Sequence, residues 1–228
     1  MTNEDVTPKH CPKLPFFCSW SGGKDSCLAL YHALREGGRP RLLLTMLTEG
    51  GERSRSHGLH ITVIEKQAEA LGIPLVTRAA TWDGYEAEFI SALCEFKKDG
   101  IEFGVFGDID IDTHREWVER VCLSASIKPY LPLWEKARRG LLEELLEAGF
   151  TATIVAVQDG VLDKQFLGKI LNESVIEEIG REGIDASGEG GEYHTVVTAG
   201  PIFSKPIHLE IGKQVLRDGY WFLDVSVR

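Results

Sequence analysis

Residues 16–26, Phe16-Phe17-Cys18-Ser19-Trp20-Ser21-Gly22-Gly23-Lys24-Asp25-Ser26, constrain this chain more than any other stretch. The apolar start reads as a buried strand, the glycine pair as a tight turn, and the residues from about Lys24 as a helix. Glycine tolerates positive φ and lets backbone N–H groups approach a ligand closely. A helix starting there turns its unpaired N–H groups and positive dipole end toward the same point. Lys24 adds a full positive charge, and Ser21 and Ser26 add hydroxyl donors. Such a turn is suited to phosphate oxygens.

Downstream of this turn, strand-like and helix-like segments alternate. The first helix stops at Gly37-Gly38, and 41–48 is a near-continuous apolar run, as in a buried parallel strand. Periodicity predicts helices over 61–71, 85–98 and 141–148, with a further helix opening at a Thr113-His114-Arg115-Glu116 capping box. Strands are expected at 73–76, 103–106 and 151–157. Alternating strands and helices predict an α/β fold, a doubly wound parallel five-stranded sheet with helices on both faces. Ligands in such sheets sit at the carboxyl ends of the strands, beside a topological switch point.

From about residue 160 the character changes. A short helix is expected over 172–181, and 183–191 is rich in glycine and acid. Strands are expected at 195–197 and near 207–211, and Asp218-Gly219 signals a hairpin between 213–217 and 220–227. The expected division is therefore 14–158 for a nucleotide-binding domain and 159–228 for a smaller α+β part that handles substrate.

Composition bounds the partners. With 43% hydrophobic and 26% charged residues, the chain has ordinary globular character. No apolar run approaches the ~20 residues of a membrane helix. Residues 1–13 form a polar leader without the apolar core of a secretory signal. Five widely spaced cysteines without a CxxC pair argue for reduced thiols in a cytoplasmic protein, and against zinc or iron–sulfur sites. A net charge of −10 disfavours nucleic acid as a partner, since the only basic cluster, 136–139, is short. Homo-oligomerisation is left open.

Four clusters stand ready to join the loop. In 52–60, Ser56 and His57 lie where the topology turns a segment toward nucleotide or substrate, or else form a polar capping loop. In Gly107-Asp108-Ile109-Asp110-Ile111-Asp112, alternate carboxylates share one side if the segment is extended, and Asp108 is a candidate ligand for Mg²⁺. The alternative is charge complementarity at a helix N-terminus, which suits Asp112. Pro129 to Trp134 offers a tryptophan for a pocket wall or for the core. Residues 187–195 crowd Glu189, Glu192, His194 and Thr195 onto a glycine-rich turn, where a carboxylate can bind an ammonium ion and a histidine can move protons near neutral pH.

SGGKDS resembles the pyrophosphate loop of the N-type ATP pyrophosphatases. It is not the GxxxxGK[ST] loop of other NTPases. At average residue frequencies of about 5–8%, its five fixed positions recur by chance about once per million windows. Combined with Gly107-Asp108-Ile109 and Arg115, Pro132-Leu133-Trp134, and Glu189-Gly190-Gly191-Glu192-Tyr193-His194-Thr195 with Gly200-Pro201, it resembles the diphthine–ammonia ligase family over residues 14–227.

The resemblance implies the adenine nucleotide alpha hydrolase-like (HUP) fold and an AMP-forming acid–ammonia ligase. ATP adenylates a substrate carboxylate with release of pyrophosphate, and ammonia then displaces AMP. It implies that Ser21, Gly22, Gly23, Lys24, Asp25 and Ser26 bind the phosphates, with Ser56, His57, Gly107 and Asp108 beside the nucleotide. Asp25 and Asp108 would hold Mg²⁺. Lys24, Asp25, Glu189, Glu192 and His194 would carry the chemistry. The family's acceptor is diphthine, a modified histidine of translation elongation factor 2. A tRNA-modifying enzyme with the same loop, or a non-catalytic ATP-binding module, are the alternatives.

Overall fold

The computed structural model describes Cys11 and residues 13–227. The expected polar leader falls outside these residues apart from Cys11 and Lys13. The described chain separates into two compact units. The first holds the residues up to Ser21, Asp25–Gly51 and Ile73–Lys136; the second holds Gly22–Lys24, Glu52–Gly72 and the chain from Ala137 onward.

The first unit is built on strands β1 (Pro15–Ser19), β2 (Arg39–Leu47), β3 (Leu75–Ala79), β4 (Phe103–Val105) and β5 (Lys128–Tyr130). They lie in the order β3-β2-β1-β4-β5, every neighbouring pair parallel. Helices α1 (Lys24–Arg35), α2 (Ile61–Leu71), α3 (Tyr85–Lys98) and α4 (Asp112–Ser124) connect them, α2 being assigned to the second unit. The order reverses at β1, so the loop leaving β1 stands at the switch point.

Alternation along β1 explains the two covered faces. Phe17 points to one side, into an apolar cluster with Phe89, Leu93 and Phe96 of α3 and Val118, Val121 and Cys122 of α4. Its ring centroid is 5.5 Å from that of Phe96 and meets Phe106 edge-on at 5.7 Å. Cys18 points to the other side, where its proximity to the buried Cys27 of α1 helps raise the Cys27 thiol pKa, after burial itself. Each fully buried large side chain contributes about 1.5–3 kcal/mol. Gly37, at φ 85°, ends α1 as expected, its N–H bonding to the Leu34 carbonyl.

Two expectations are corrected here. The fifth parallel strand is β5, at residues 128–130, and not 151–157. Lys128-Pro129-Tyr130 is too short and mixed to announce itself. Helix α4 begins at Asp112 behind Ile111, without a side-chain cap, so Thr113 is already inside the helix and forms no capping box.

The second unit holds β6 (Thr151–Gln158), β7 (Tyr193–Ala199), β8 (Leu209–Arg217) and β9 (Tyr220–Val227), an antiparallel sheet in the order β7-β6-β9-β8. Residues 151–157 read as a parallel strand because β6 is central and buried along nearly its whole length. An apolar run of that kind carries no sign of strand direction. The expected division at 158/159 thus falls one strand later than the change of sheet. Helices α5 (Arg138–Glu147) and α6 (Glu173–Arg181) complete the unit. Asn172 caps α6, accepting from the Val175 N–H at 2.9 Å. Asp218 (φ 51°) and Gly219 (φ 79°) form the two-residue turn between β8 and β9. Among the described residues no helix is long and apolar enough to cross a membrane, and all five cysteines are free.

Candidate active site

In the first unit, the exit of β1 is fixed before the loop begins. The Trp20 N–H donates to the Leu44 carbonyl at 2.8 Å, and the Thr45 hydroxyl to the Trp20 carbonyl at 2.7 Å. Ser21 and Ser26 hydroxyls lie 3.1 Å apart. The chain leaving β4 then presses against the start of α1. A Cβ on Gly107 would stand 2.8 Å from the Asp25 carbonyl carbon and 3.0 Å from the Ser26 nitrogen, so only glycine permits this approach. Asp108 follows. Burial raises its carboxyl pKa, His114 at 3.6 Å opposes that shift, and the Asp25 charge adds to it.

A buried carboxylate whose ionised form is opposed by burial and by the Asp25 charge suits a hard divalent cation. Among the described residues no group of three or more His, Cys, Asp and Glu side chains could hold a metal. A cation at Asp25 and Asp108 therefore needs ligands from phosphate or water, as Mg²⁺ commonly does. Asp110 and Asp112 are exposed, and Asp112 sits in the first turn of α4.

The remaining first-unit cluster is tied to this one. The Glu135 N–H donates to the Ile109 carbonyl at 2.7 Å. Trp134 packs partly buried against the apolar cluster, with the Arg115 guanidinium 5.3 Å from its ring centroid. Arg115 also pairs with Glu119 at 2.7 Å.

The second unit contains the middle of the loop, and here β7 holds it. The Gly22 carbonyl accepts from the Val197 N–H at 2.9 Å and from Gln67 Nε2 at 2.8 Å. Gln67, fully buried, also donates to the Val197 carbonyl at 2.7 Å. The Lys24 N–H donates to Thr195 Oγ1 at 3.0 Å. Gly22 has φ 80°, and a Cβ there would lie 2.4 Å from Gln67 Oε1.

His57 closes over the adjacent glycine: a Cβ on Gly23 would meet its Cε1 at 2.3 Å. His57 Nδ1 is 2.7 Å from the Thr195 carbonyl oxygen. Its ring lies 4.7 Å from that of His194, which lies 5.7 Å from Tyr220. Burial holds the His194 pKa well below the usual histidine range, and the charges of His57 and Lys24 lower it further. His194 is therefore neutral near pH 7 and able to accept a proton. Lys24 is 5% exposed, its Nζ 5.6 Å from the Tyr193 ring centroid.

The glycine-rich turn leading into β7 is ordered by its own bonds. The Tyr193 hydroxyl donates to the Ala186 carbonyl at 2.7 Å, the Tyr220 hydroxyl to the Gly191 carbonyl at 2.9 Å, and the Gln158 N–H to the Glu192 carbonyl at 2.9 Å. Arg138 pairs with Asp185. Glu192 Oε2 is buried without a hydrogen-bond partner. Such an oxygen costs about 1–3 kcal/mol and calls for a donor. The Glu192 charge also raises the Tyr220 pKa, second to burial. Glu189 is half-buried on the same turn, its N–H bonding to Ser187 Oγ at 3.3 Å.

The structure thus brings together Gly107, Asp108, Asp25 and Ser26 in the first unit. It brings together Gly22, Gly23, Lys24, His57 and His194 in the second. Ser56 is exposed, and His60 caps α2, its side chain accepting from the Thr62 N–H. Gln67 and Tyr220 carry the arrangement without having been singled out, and Thr195, expected only as a member of the glycine-rich cluster, holds the Lys24 N–H. Gln67 leaves a trace: it interrupts the apolar stripe Val63, Ile64, Ala68 of α2, and a polar residue at a core position needs partners.

A doubly wound parallel sheet with this glycine loop at its switch point defines an α/β protein of the pyrophosphate-loop, ATP-binding class. Residues 16–129 match the sequence profile of the diphthamide synthase N-terminal domain, and residues 137–227 that of the diphthamide synthase C-terminal domain. The chain belongs to the diphthamide synthase family. Among curated relatives, the diphthine–ammonia ligase of Rattus norvegicus is 28% identical, covering 90% of this chain and 86% of the relative. That of Danio rerio is also 28% identical, with 90% of each chain covered. A solved structure described as a predicted subunit of tRNA methyltransferase from Methanocaldococcus jannaschii is 16% identical, with a TM-score of 0.45 over 82% of this chain and 98% of that one.

Proposed function

We propose that this protein is an ATP-dependent carbon–nitrogen ligase that adenylates a substrate carboxylate and converts it to an amide with ammonia. The observation that carries the reading is the attachment of Gly22 and Lys24 to β7, which ties the middle of the phosphate-type turn, Gly22–Lys24, to the strand that begins within the Glu189-to-Thr195 run.

In the first step the carboxylate oxygen attacks the α-phosphorus of ATP, the α–β bridging bond breaks, and pyrophosphate leaves. Ser21, Gly22, Gly23, Lys24, Asp25 and Ser26 bind and orient the phosphates, and Lys24 neutralises charge on the leaving group. Asp25 and Asp108 are the residues that would hold Mg²⁺, which supplies further neutralisation of phosphate charge when bound. In the second step ammonia attacks the acyl carbon and AMP departs. Glu192, with its unpartnered Oε2, receives the ammonium ion, which gives one proton to solvent to become ammonia. Glu189 assists on the same turn, and neutral His194 takes the second proton, lost from nitrogen as the amide forms. The acceptor is a carboxylate of the diphthine type, as the names of the curated relatives suggest, and elongation factor 2 is its carrier by the sequence resemblance alone. Residues 16–129 serve the nucleotide and the later part serves the acceptor. Five free thiols are consistent with action in the cytoplasm.

The test is product analysis. With acceptor, labelled ATP yields AMP and pyrophosphate, and amide accumulates only when ammonium is supplied. Release of ADP and phosphate instead would overturn the reading. Lys24→Ala abolishes AMP formation with the fold intact. Glu192→Ala preserves nucleotide binding and blocks amide formation; loss of ATP affinity in that variant would remove Glu192 from the ammonia role.

A further inference from the structure

Strand β8 is the outer strand of the antiparallel sheet, and eight of its nine residues are exposed. Three of them are large and apolar: Ile211 is 60% exposed, Val215 48% and Leu216 49%. Their neighbours on β9 are not exposed in this way. Val225, opposite Ile211, and Leu223, opposite Gln214, are buried. The sheet therefore continues past its own core, and among the described residues it ends in a long, partly apolar strand with one edge open. An edge of that kind is a template for pairing with another strand.

The side-chain pattern selects the occupant. A bulge between Ile211 and Gln214 shifts β8 against β9. Ile211, opposite Val225, and Leu216, opposite Trp221, consequently lie on one face. Glu210, opposite Ser226, and Arg217, opposite Tyr220, lie on the other. Without the shift, residues five or seven apart would fall on different faces. With it, β8 is complementary to itself.

We infer that β8 pairs antiparallel with β8 of a second copy of this chain, about a two-fold axis passing between Lys213 and Gln214. In that register Ile211 faces Leu216 of the second copy on one side of the sheet, and Glu210 faces Arg217 on the other. Lys213 meets Gln214, so no lysine opposes its own counterpart. Apolar pairs and unlike charges directly opposite are the favourable cross-strand combinations. The alternative register that sets Ile211 against Gln214 also respects the faces, but it places Glu210 against Val215 and gives Arg217, which lies 3.9 Å from Asp218 of its own chain, no carboxylate across the interface. The interface is isologous, as closed dimers require. Two four-stranded sheets become one continuous sheet with no open β8 edge.

The test is the solution mass, measured by size-exclusion chromatography with light scattering on the full chain. The wild type runs at twice the 25.3 kDa monomer. Ile211→Lys, at an exposed position, shifts it to the monomer with an unchanged circular dichroism spectrum. Glu210→Arg and Arg217→Glu each weaken the dimer, and combining them restores it, because the charges are exchanged within each facing pair. A monomeric wild type overturns the inference. So does a dimer that survives Ile211→Lys, or a charge-swapped double variant that fails to recover, since either would put the contact elsewhere or in another register.

Discussion

The backbone N–H of Lys24 donates to the side-chain hydroxyl of Thr195 at 3.0 Å, across 171 positions of sequence. The first amide of α1 is thus held by β7, the strand that the glutamate-rich turn leads into. Thr195→Val removes the acceptor and keeps the shape. A buried donor left unmatched costs about 1–3 kcal/mol, so the unfolding midpoint in denaturant falls accordingly. Thr195→Ser restores most of it. Adenylation suffers more than this loss of stability explains, because the loop is no longer pinned. Equal losses in both measures would assign Thr195 to folding alone.

Gly23 and His57 make a sharper test, because a Cβ on Gly23 would meet the His57 ring at 2.3 Å, far closer than its next neighbour outside that ring, the Thr195 carbonyl oxygen at 3.1 Å. Gly23→Ala drives a methyl group into His57 Cε1. Overpacking of this kind typically costs about 1–3 kcal/mol. His57→Ala opens the space, so the double variant is more stable than the two single losses predict. The coupling read from a double-mutant cycle is then favourable by more than about 0.5 kcal/mol. Additive effects would mean that Gly23 is needed for its backbone rather than its lack of a side chain.

Asp108 carries a prediction with opposite signs for stability and activity. Its folded pKa is raised above the ordinary 3.8, so the native state disfavours the ionised form. The stability associated with Asp108 is present at low pH and lost as pH rises through its folded pKa. Asp108→Asn removes the charge, and the protein melts at a higher temperature at neutral pH, with the gap closing in acid. Adenylation falls by about 10²–10³, the loss expected when one group stabilising charge in the transition state is removed. Thermal unfolding and AMP release, measured on the same samples across pH, separate the two effects.

His194 behaves in the reverse sense. Its folded pKa lies well below 6.5, so the native state refuses a proton that the unfolded chain accepts. Stability from this residue is complete above about pH 6.5 and declines as pH falls toward the folded pKa. His194→Gln flattens the denaturant midpoint between about pH 7 and pH 5, the window set by the unfolded histidine. It also removes the acid limb of amide formation while adenylation continues. An unchanged pH profile for amide formation would take His194 out of proton transfer.

Much of this protein was legible in its order of residues, because local signals and packing agreed. The extents of α2 and α3 were read from their periodicity. The Asp218-Gly219 turn announced β8 and β9, since few residue pairs accept positive φ twice in succession. Strand β5 was not legible, because three residues, one of them a proline, carry no periodicity. Strand β6 was legible as a strand but not as a member of the antiparallel sheet, because burial of both faces erases the alternation that would distinguish them.

The sequence by itself determined the loop, its glycines and its charges, since a phosphate-type turn is a local arrangement of six consecutive residues. The tertiary structure alone decided what those residues touch. Gln67 looks like an ordinary helical glutamine until both of its N–H groups are seen on Gly22 and Val197. Thr195 looks like the end of a motif until it meets Lys24. Hydrogen bonds between distant segments depend on where the sheet places their backbones, and no short-range pattern encodes that distance.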